Sequence, residues 1–200
     1  MTLTSPPAGR RERNKQAKLE RIIAAASELF ADRGVDEVTT QQIADAADIG
    51  TGTLFLYART KGELLMLVQN AHYARALEEG RSAAEATSGA AAGVLALVAP
   101  IVECNRVQIE NGRTYLREML FGDAGEPHHA EALRIVAETE QSLTALMASR
   151  ADLSEEEAEV LARVISSVLF VTMAAAASPD TGVSEILTAV RAQVEAILGR

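Results

Sequence analysis

Two adjacent histidines stand beside acidic residues in the second half of the chain, a combination that could hold a catalytic metal ion. His128 and His129 have Glu126 and Glu131 as neighbours. On a helix, adjacent side chains point about 100° apart, so both imidazoles cannot easily reach one ion. His128 with Glu131 would supply only two ligands, and Pro127 suits the first residue of a helix. We therefore expect an exposed helix start and no metal here, and we keep a metal-dependent helical enzyme as an alternative.

The single cysteine is the other candidate for reactive chemistry. Cys104 has no second cysteine with which to form a disulfide within the chain. A lone cysteine on an apolar helix is usually buried and unreactive, although a redox-sensing role stays open. The sequence has no nucleophile elbow, no glycine-rich phosphate loop and no zinc-type spacing of Cys and His. We therefore expect neither an enzyme nor a bound cofactor.

Charge is distributed unevenly along the chain. The formal net charge is −9, which taken alone disfavours a nucleic-acid partner. Residues 1–21, however, hold 6 basic and 2 acidic side chains, whereas residues 62–200 hold 10 basic and 20 acidic ones. A short basic segment in front of an acidic body is typical of a protein that presents one end to an anion such as DNA.

Helical periodicity runs through the chain, and no stretch shows the alternation of a strand. Apolar spacing predicts a helix over about 13–33, and Gly34 suits the residue after its end because glycine tolerates a positive φ. Two short helices are predicted next, over 41–47 and 51–57. A long helix that supports two short ones across a tight turn has helix-turn-helix geometry, in which the second short helix enters the major groove.

The remainder is also predicted to be helical, so the fold class is all-α. The predicted helices span 62–79, 94–111, 114–121, 127–149, 154–177 and 183–198. Residues 80–93 are rich in Gly, Ala and Ser and are predicted to be the loosest connection. Residues 1–12 start without periodicity and are expected to form a disordered basic arm.

No segment is predicted to enter a membrane. The longest apolar stretch, 164–177, has 14 residues, whereas a bilayer span needs about 20. The basic residues near the N-terminus are not followed by the apolar segment of a secretory signal. We therefore expect a cytoplasmic protein.

Residues 18–65 contain many matches, at fixed spacing, to one known pattern. The matching positions are Phe30, Arg33-Gly34, Thr39-Thr40, Ile43-Ala44, Ala47, Ile49, Gly52-Thr53-Leu54-Phe55, Tyr57 and Lys61. With these residues the segment resembles the TetR family of bacterial transcriptional regulators. The resemblance implies a helix-turn-helix DNA-binding domain over 13–61. It also implies a larger helical domain over 62–200 that dimerises and often holds a small molecule.

The resemblance further implies which residues contact DNA. The positions that usually touch the DNA backbone are Thr40, Thr53, Phe55 and Tyr57, and those that can approach base edges are Gln41, Gln42, Thr51 and Gly52. Lys61 matches a lysine that usually contacts a phosphate. Thr51 replaces a common lysine and Phe55 a common tyrosine, so the second short helix is unusually uncharged. Asp48 replaces a common glycine in the turn, and Asp tolerates the left-handed conformation better than most residues. We therefore expect Arg11 and Arg13 in the arm to supply missing phosphate or minor-groove contacts.

The last two predicted helices have wide apolar stripes that suit a four-helix bundle formed by two subunits. The candidate dimerisation residues are Val160, Leu161, Val164, Val168, Ile186, Val190, Val194 and Ile197. Polar and aromatic residues in otherwise apolar segments either line an effector pocket or simply pack in the core. They are Cys104, Asn105, Gln108, Tyr115, Met119, Phe121, Phe170 and Met173.

Together these features predict a sequence-specific DNA-binding transcriptional regulator that acts as a homodimer on a palindromic operator in double-stranded DNA. We expect a repressor that a small, largely apolar effector releases from DNA. Repression is inferred from the family resemblance. A helical adaptor that binds protein through its last two helices is a further alternative, and it would be monomeric on its own.

Overall fold

The computed structural model describes residues 9–123, 125–176 and 181–198. Within these residues the chain is helical and has no strand, which confirms the all-α prediction. Their helices are α1 (Arg10–Glu37), α2 (Thr40–Ala46), α3 (Thr51–Leu54), α4 (Lys61–Glu85), α5 (Ala90–Arg106), α6 (Ile109–Phe121), α7 (Pro127–Arg150), α8 (Glu155–Ala175) and α9 (Val183–Ile197).

Helix α1 begins earlier than predicted. Arg10, Arg11 and Glu12 are already helical, so the structure differs here from the expected disordered arm, whose residues 1–8 lie outside the described residues. The helix is interrupted at Gly34, where φ is 77°. This non-helical conformation confirms the predicted end of the first long helix at Gly34. Glycine adopts it without the strain that a side chain would cause.

A small hydrophobic core joins α1, α2, α3 and the first turns of α4. Its largest buried side chains are Ile22, Phe30, Ile43, Leu54, Leu64 and Leu65. We call the unit formed by α1 to α3 the reader and the unit formed by α4 to α9 the body. Because Leu64 and Leu65 of α4 lie in the reader's core, α4 is shared between the two and fixes their relative position.

A second, larger core fills the body. Helices α4 and α5 approach most closely at Gly80, where a Cβ atom would collide with the carbonyl oxygen of Leu97. The predicted loose connection over 80–93 is therefore wrong. Helix α4 continues to Glu85 and α5 begins at Ala90, which leaves only residues 86–89 between them.

Side chains at the helix starts account for where several body helices begin. The Gln108 amide oxygen accepts from the Asn111 backbone N–H (2.8 Å) and so caps the start of α6. Only two residues separate the end of α5 from the start of α6, whereas the sequence predicted one helix over 94–111. Glu126 caps α7, and Ser154 forms a capping box with Glu157 at α8. The hydrogen bonds from Ser154 lower the pKa of the Glu157 carboxyl.

Helix α8 is long and apolar enough to cross a membrane by length and composition alone, and the bent pair of α5 and α6 would also pass as one broken span. One or two such helices are weak evidence for a membrane span, because the core helices of soluble proteins meet the same criteria. Helix α8 places Ala158, Ala162, Ile165 and Leu169 in the core of the body. Of its apolar window, 28% is buried within the chain.

Candidate nucleic-acid interface and effector cavities

The turn between α2 and α3 sets the angle of the two short helices. Asp48 has a φ of 52°, the left-handed conformation expected for it from the sequence. Its carboxylate lies 3.3 Å from the Arg21 guanidinium of α1, and the Ile49 N–H donates to the Ala44 carbonyl at 3.0 Å. These contacts connect the turn to α1 and to α2.

Two glutamines that were expected to approach DNA bases also brace α2 and α3. Gln42 closes a capping box with Thr39, so its amide oxygen accepts from the Thr39 N–H at 2.9 Å. Gln41 donates to the Asp45 carboxylate (2.7 Å), and its amide oxygen accepts from the Thr51 hydroxyl (2.7 Å). Gln41 and Gln42 are both exposed, and these bonds hold their side chains in a fixed orientation.

The outer surface of α3 and the turn that follows it is uncharged. Gly52 and Phe55 are exposed, while Thr51, Thr53 and Tyr57 are half-buried, as is Thr40 at the start of α2. Leu56 has 83% of its surface exposed and extends the exposed apolar surface of Phe55. Leu56 was not among the site residues predicted from the sequence. The signal was its position directly after Phe55, outside the helical spacing of the buried Leu54.

Positive charge lies beside this uncharged surface rather than on it. The first turns of α1 and the end of α3 border an open groove of about 1000 Å³. Its walls are formed by Arg10, Arg11, Glu12, Asn14, Lys15, Lys18, Thr53, Leu56 and Tyr57. The Tyr57 hydroxyl donates to the Lys15 carbonyl at 3.3 Å and so ties the basic turns to α3. The groove combines cationic and apolar side chains, which suits contacts to both phosphates and base edges.

Lys61 lies at the junction between reader and body. Its ammonium group donates to the Asp36 carbonyl at the end of α1 (3.0 Å), and the Thr60 hydroxyl caps α4 by accepting from the Glu63 N–H at 3.0 Å. The side chain is half-buried. Lys61 therefore connects α1 to α4. The same ammonium group is the one expected from the sequence to contact a DNA phosphate.

The expected effector residues do not lie together in the body. Tyr115 and Met119 border an inner cavity of about 50 Å³, together with Tyr73, Ile101 and Ile135. Cys104 and Gln108 border a different cavity, of about 260 Å³, between α1, α4 and α5. We call the first the inner cavity and the second the junction cleft.

The remaining expected effector residues lie outside both cavities. Asn105 is buried and donates to the Tyr73 hydroxyl at 2.7 Å. Met173 is buried in the body core, and Phe170 packs against that core. Phe121 has 81% of its surface exposed at the end of α6, so it does not pack in an apolar segment as expected. Its helix ends at Gly122, and the ring projects beyond the body core.

The polar groups around the inner cavity are already hydrogen-bonded. Tyr73 and Tyr115 stack with ring centroids 4.6 Å apart, and the Tyr115 hydroxyl donates to the Asn70 amide oxygen at 2.8 Å. Burial raises the pKa of both tyrosines, so both stay protonated. The Thr139 hydroxyl donates to the Ile135 carbonyl (2.9 Å). The cavity therefore presents mainly apolar surface.

The expected dimerisation residues fall into three groups by burial. Ile186, Val190 and Val194 are buried inside the core of their own chain, because the apolar stripe of α9 packs on α5 and α8. Ile197, Leu161 and Val168 are partly buried. Val160 and Val164 on α8 are exposed at 55% and 40%, and Val171 continues the same face.

The two histidines bond to other elements instead of presenting an exposed helix start: His128 joins the body to the reader, and His129 joins two helices of the body. The described residues contain no group of three or more His, Cys, Asp or Glu arranged for a metal ion. The His128 imidazole Nε2 bonds to the Tyr57 carbonyl (2.8 Å), and the His129 Nε2 bonds to the Met119 carbonyl (2.9 Å). His129 is buried. The expectation of an exposed pair is therefore wrong.

Comparisons with known proteins agree with this geometry. Residues 22–68 match the family model described as "Bacterial regulatory proteins, tetR family". FadR of Thermus thermophilus, a TetR family transcriptional repressor solved in complex with lauroyl-CoA, is 21% identical with a TM-score of 0.69, over 90% of this chain and 93% of that chain. A TetR transcriptional regulator from Rhodococcus sp. RHA1 is 15% identical with a TM-score of 0.68, over 94% and 98% of the two chains. No curated protein matches the sequence.

A third structure extends the same picture. The fatty acid degradation regulator FadR from Bacillus halodurans is 16% identical with a TM-score of 0.61, over 90% of this chain and 97% of that chain. At these identities the structures establish the fold, and the family model establishes the N-terminal domain. Together they confirm the resemblance inferred from the sequence.

Proposed function

We propose that this TetR-family transcriptional regulator is a homodimeric repressor, located in the cytoplasm, that binds a palindromic operator and leaves it when a small, largely apolar effector binds. The observation that carries the proposal is the pairing of an exposed, uncharged α3 surface with the basic first turns of α1. The similarity to the tetR family model and to solved TetR-family regulators supports a transcription factor rather than an enzyme.

The reader divides DNA recognition between two surfaces. The basic side chains at the start of α1, including Arg11 and Arg13, contact phosphates or enter the adjacent minor groove. Gly52 and Phe55 approach base edges in the major groove, where Phe55 suits a thymine methyl group. Thr40, Thr53, Tyr57 and Lys61 contact the backbone, while Gln41, Gln42 and Thr51 lie on the same side of the helix pair.

A dimer would place two readers on successive turns of DNA. The exposed face of α8, with Val160, Val164 and Val171, has no apolar partner among the described residues of its own chain. On α9 the outward positions Ala192 and Ala196 are small and exposed, so another helix can approach closely. Paired α8 and α9 helices from two subunits form the four-helix arrangement expected from the sequence.

The effector would enter the body at the inner cavity. This cavity of about 50 Å³ is smaller than the roughly 300–1000 Å³ of most ligand sites, so α4 to α8 must separate to admit a ligand. The lauroyl-CoA complex of the Thermus thermophilus repressor supports an acyl or similarly apolar ligand. A ligand that binds the separated arrangement more tightly shifts the reader's position and lowers operator affinity.

The first test is a binding selection of the purified protein against random duplexes at near-physiological salt. We expect enrichment of a palindromic motif. Replacing Arg11 and Lys15 by alanine should weaken binding to that motif by about tenfold or more and reduce its salt dependence. The control replaces Arg113 and Arg117, both exposed on α6, and makes the same change in charge. Equal losses in both variants would contradict a contact by α1.

The dimer is tested separately in solution. Replacing Val160 and Val164 by glutamate should yield monomers at micromolar concentration and abolish binding to the palindrome while a half-site still binds weakly. Val107→Glu introduces a charge at a valine of the body that is even more exposed, and it should leave the dimer intact. A wild-type protein that stays monomeric would favour the adaptor alternative.

A further inference from the structure

The junction cleft differs from the inner cavity in both position and chemistry. Its volume is about 260 Å³, close to the lower end of ligand sites, so it admits a compact molecule without separation of the helices. One wall is formed by Ser27 and Phe30 of α1, which belong to the reader. The opposite walls come from α4 and α5 of the body. A molecule bound in the cleft would touch both units at once.

Two amide groups with spare donors face this cleft. Gln108 uses its amide oxygen to accept from the Asn111 N–H (2.8 Å), which leaves its NH₂ group as the free end. Gln69 is 93% buried, and its amide oxygen pairs with the His72 Nδ1 at 3.1 Å. The bonds of these two side chains among the described residues run through their amide oxygens. Neither amide nitrogen is a buried atom without a partner, so both can donate to a ligand or to water in the cleft that they border.

The groups deeper in the cleft are neutral. Burial and the nearby Arg75 charge lower the pKa of His72, whose Nε2 accepts from the Ser27 hydroxyl at 3.1 Å. Burial raises the pKa of the Cys104 thiol to about 12, so the thiol stays protonated. The full charges of the lining belong to the exposed Arg75, Glu79 and Glu103, with a net charge of −1. This arrangement disfavours an anion.

We propose that the junction cleft is a second small-molecule site, which binds a compact, uncharged carbonyl compound such as an amide or a lactone. The carbonyl oxygen accepts from the amide nitrogens of Gln69 or Gln108, and the apolar part packs on Phe30 and Val68. Binding itself does not depend on the proposed repressor role. Only its effect on the operator does, because a ligand that contacts α1, α4 and α5 together favours one arrangement of reader and body.

The test uses three probes with one carbon skeleton and different charge. Benzamide is neutral, benzoate is an anion and benzylamine is a cation. We expect NMR titration of the full chain to show binding of benzamide and about tenfold weaker binding of benzoate. Cys104 is the single thiol of the chain, so its rate of reaction with a thiol-specific reagent reports on this site alone. Bound benzamide should slow that reaction.

Two variants locate the probe. Gln108→Glu keeps the oxygen that caps α6 and removes the donor, while Ala31→Phe fills the cleft from α1. Each should weaken benzamide binding by about tenfold, and Gln141→Glu on the exposed face of α7 should leave it unchanged. Benzamide binding that survives both variants, or fails to protect Cys104, would overturn the site. Tighter binding of benzoate would overturn the ligand class.

Operator binding with and without saturating benzamide then separates the two proposals. A change in operator affinity supports coupling through the cleft. An unchanged affinity with benzamide bound and Cys104 protected would support the site and contradict the coupling. Failure to find any enriched operator would count against the repressor proposal while the binding and protection results still decide the site.

Discussion

Two of the hydrogen-bonded joints between reader and body differ in character. In the first, which we call the Asn111 clamp, the Asn111 amide of α6 accepts from the Val35 N–H and donates to the Phe30 carbonyl, both at 2.8 Å. In the second, the His128 latch, one imidazole nitrogen of α7 bonds to the Tyr57 carbonyl after α3 at 2.8 Å. The clamp is buried, whereas the His128 side chain is 20% exposed.

The difference indicates which joint can yield to a ligand. Breaking the clamp leaves two backbone groups and an amide buried without partners, which is costly. Breaking the latch exposes one carbonyl and one imidazole that water can reach. The latch bonds to Tyr57, which lies beside the exposed surface of α3, whereas the clamp bonds to residues near the C-terminal end of α1. A displacement of α7 would therefore move α3 with the clamp still closed.

The largest expected effect comes from removing the clamp. Asn111→Leu deletes both hydrogen bonds and leaves the Phe30 carbonyl and Val35 N–H without partners in a buried site. We expect the free energy of unfolding to fall by about 2–4 kcal/mol, measured by urea denaturation. Asn14→Leu, at an exposed position of α1, is the matched control and should change stability by less than about 0.5 kcal/mol. Equal effects of the two variants would contradict the clamp.

A smaller effect is expected from the glycine that shapes the clamp's partner. Gly34 has a φ of 77°, and a Cβ atom there would lie 2.7 Å from the Gln108 amide nitrogen. Gly34→Ala should lower the free energy of unfolding by about 1–2 kcal/mol, because alanine disfavours this conformation. Gly52→Ala meets open space at an ordinary φ and should not destabilise the fold. A neutral Gly34→Ala would show that the break in α1 can relax.

The latch should matter more for DNA than for stability. His128→Ala removes one half-buried hydrogen bond, so we expect a loss of about 1 kcal/mol in unfolding free energy. Operator affinity should change by several-fold, because the position of Tyr57 is no longer fixed. His128→Gln, whose amide can donate to the same carbonyl, should restore much of the operator affinity. A loss of operator affinity in His128→Ala that merely follows its loss of stability would contradict a positioning role for the latch. In that case His128→Gln would restore affinity and stability in proportion.

The reader was largely predictable from sequence because its signals are local. The positive φ at Gly34 and Asp48 follows from residue type and position, and the spacing of Ile43 and Leu54 marks the buried faces of α2 and α3. The two joints were not predictable, because Asn111 and His128 meet partners more than 70 residues away in the chain. A lone asparagine or histidine in a helix gives no sign of which distant carbonyl it reaches.

The body shows a second limit of sequence patterns. An apolar stripe states that a helix buries one face, but not whether its partner is the same chain or another copy. The stripe of α9 through Ile186 and Val190 packs inside its own chain, while Val160 of α8 stays exposed. The Gly- and Ala-rich segment 80–93 was similarly ambiguous. Small residues there allow α4 and α5 to pack closely, and the same composition is common in loops.

The smallest expected effect is a pH dependence of the free energy of unfolding that arises from His72. The Ser27 hydroxyl of α1 bonds to this histidine of α4. The pKa of His72 is lowered by burial and by Arg75, so the folded chain takes up this proton less readily than the unfolded chain. The resulting stability is present above the unfolded pKa of about 6.5 and is lost as pH falls below it.

Urea denaturation from pH 8 to pH 5 measures this effect. Part of the decline in stability below about pH 6.5 should disappear in His72→Gln, which keeps a polar group beside Ser27 but does not titrate. Val107→Thr, at an exposed position of the same cleft, should retain the wild-type profile. Because protonation breaks the acceptor role of the His72 Nε2 toward Ser27, operator binding should weaken over the same pH range if this contact helps to align α1. Superimposable pH profiles for wild type and His72→Gln would instead show that the contact between Ser27 and His72 does not help to align α1.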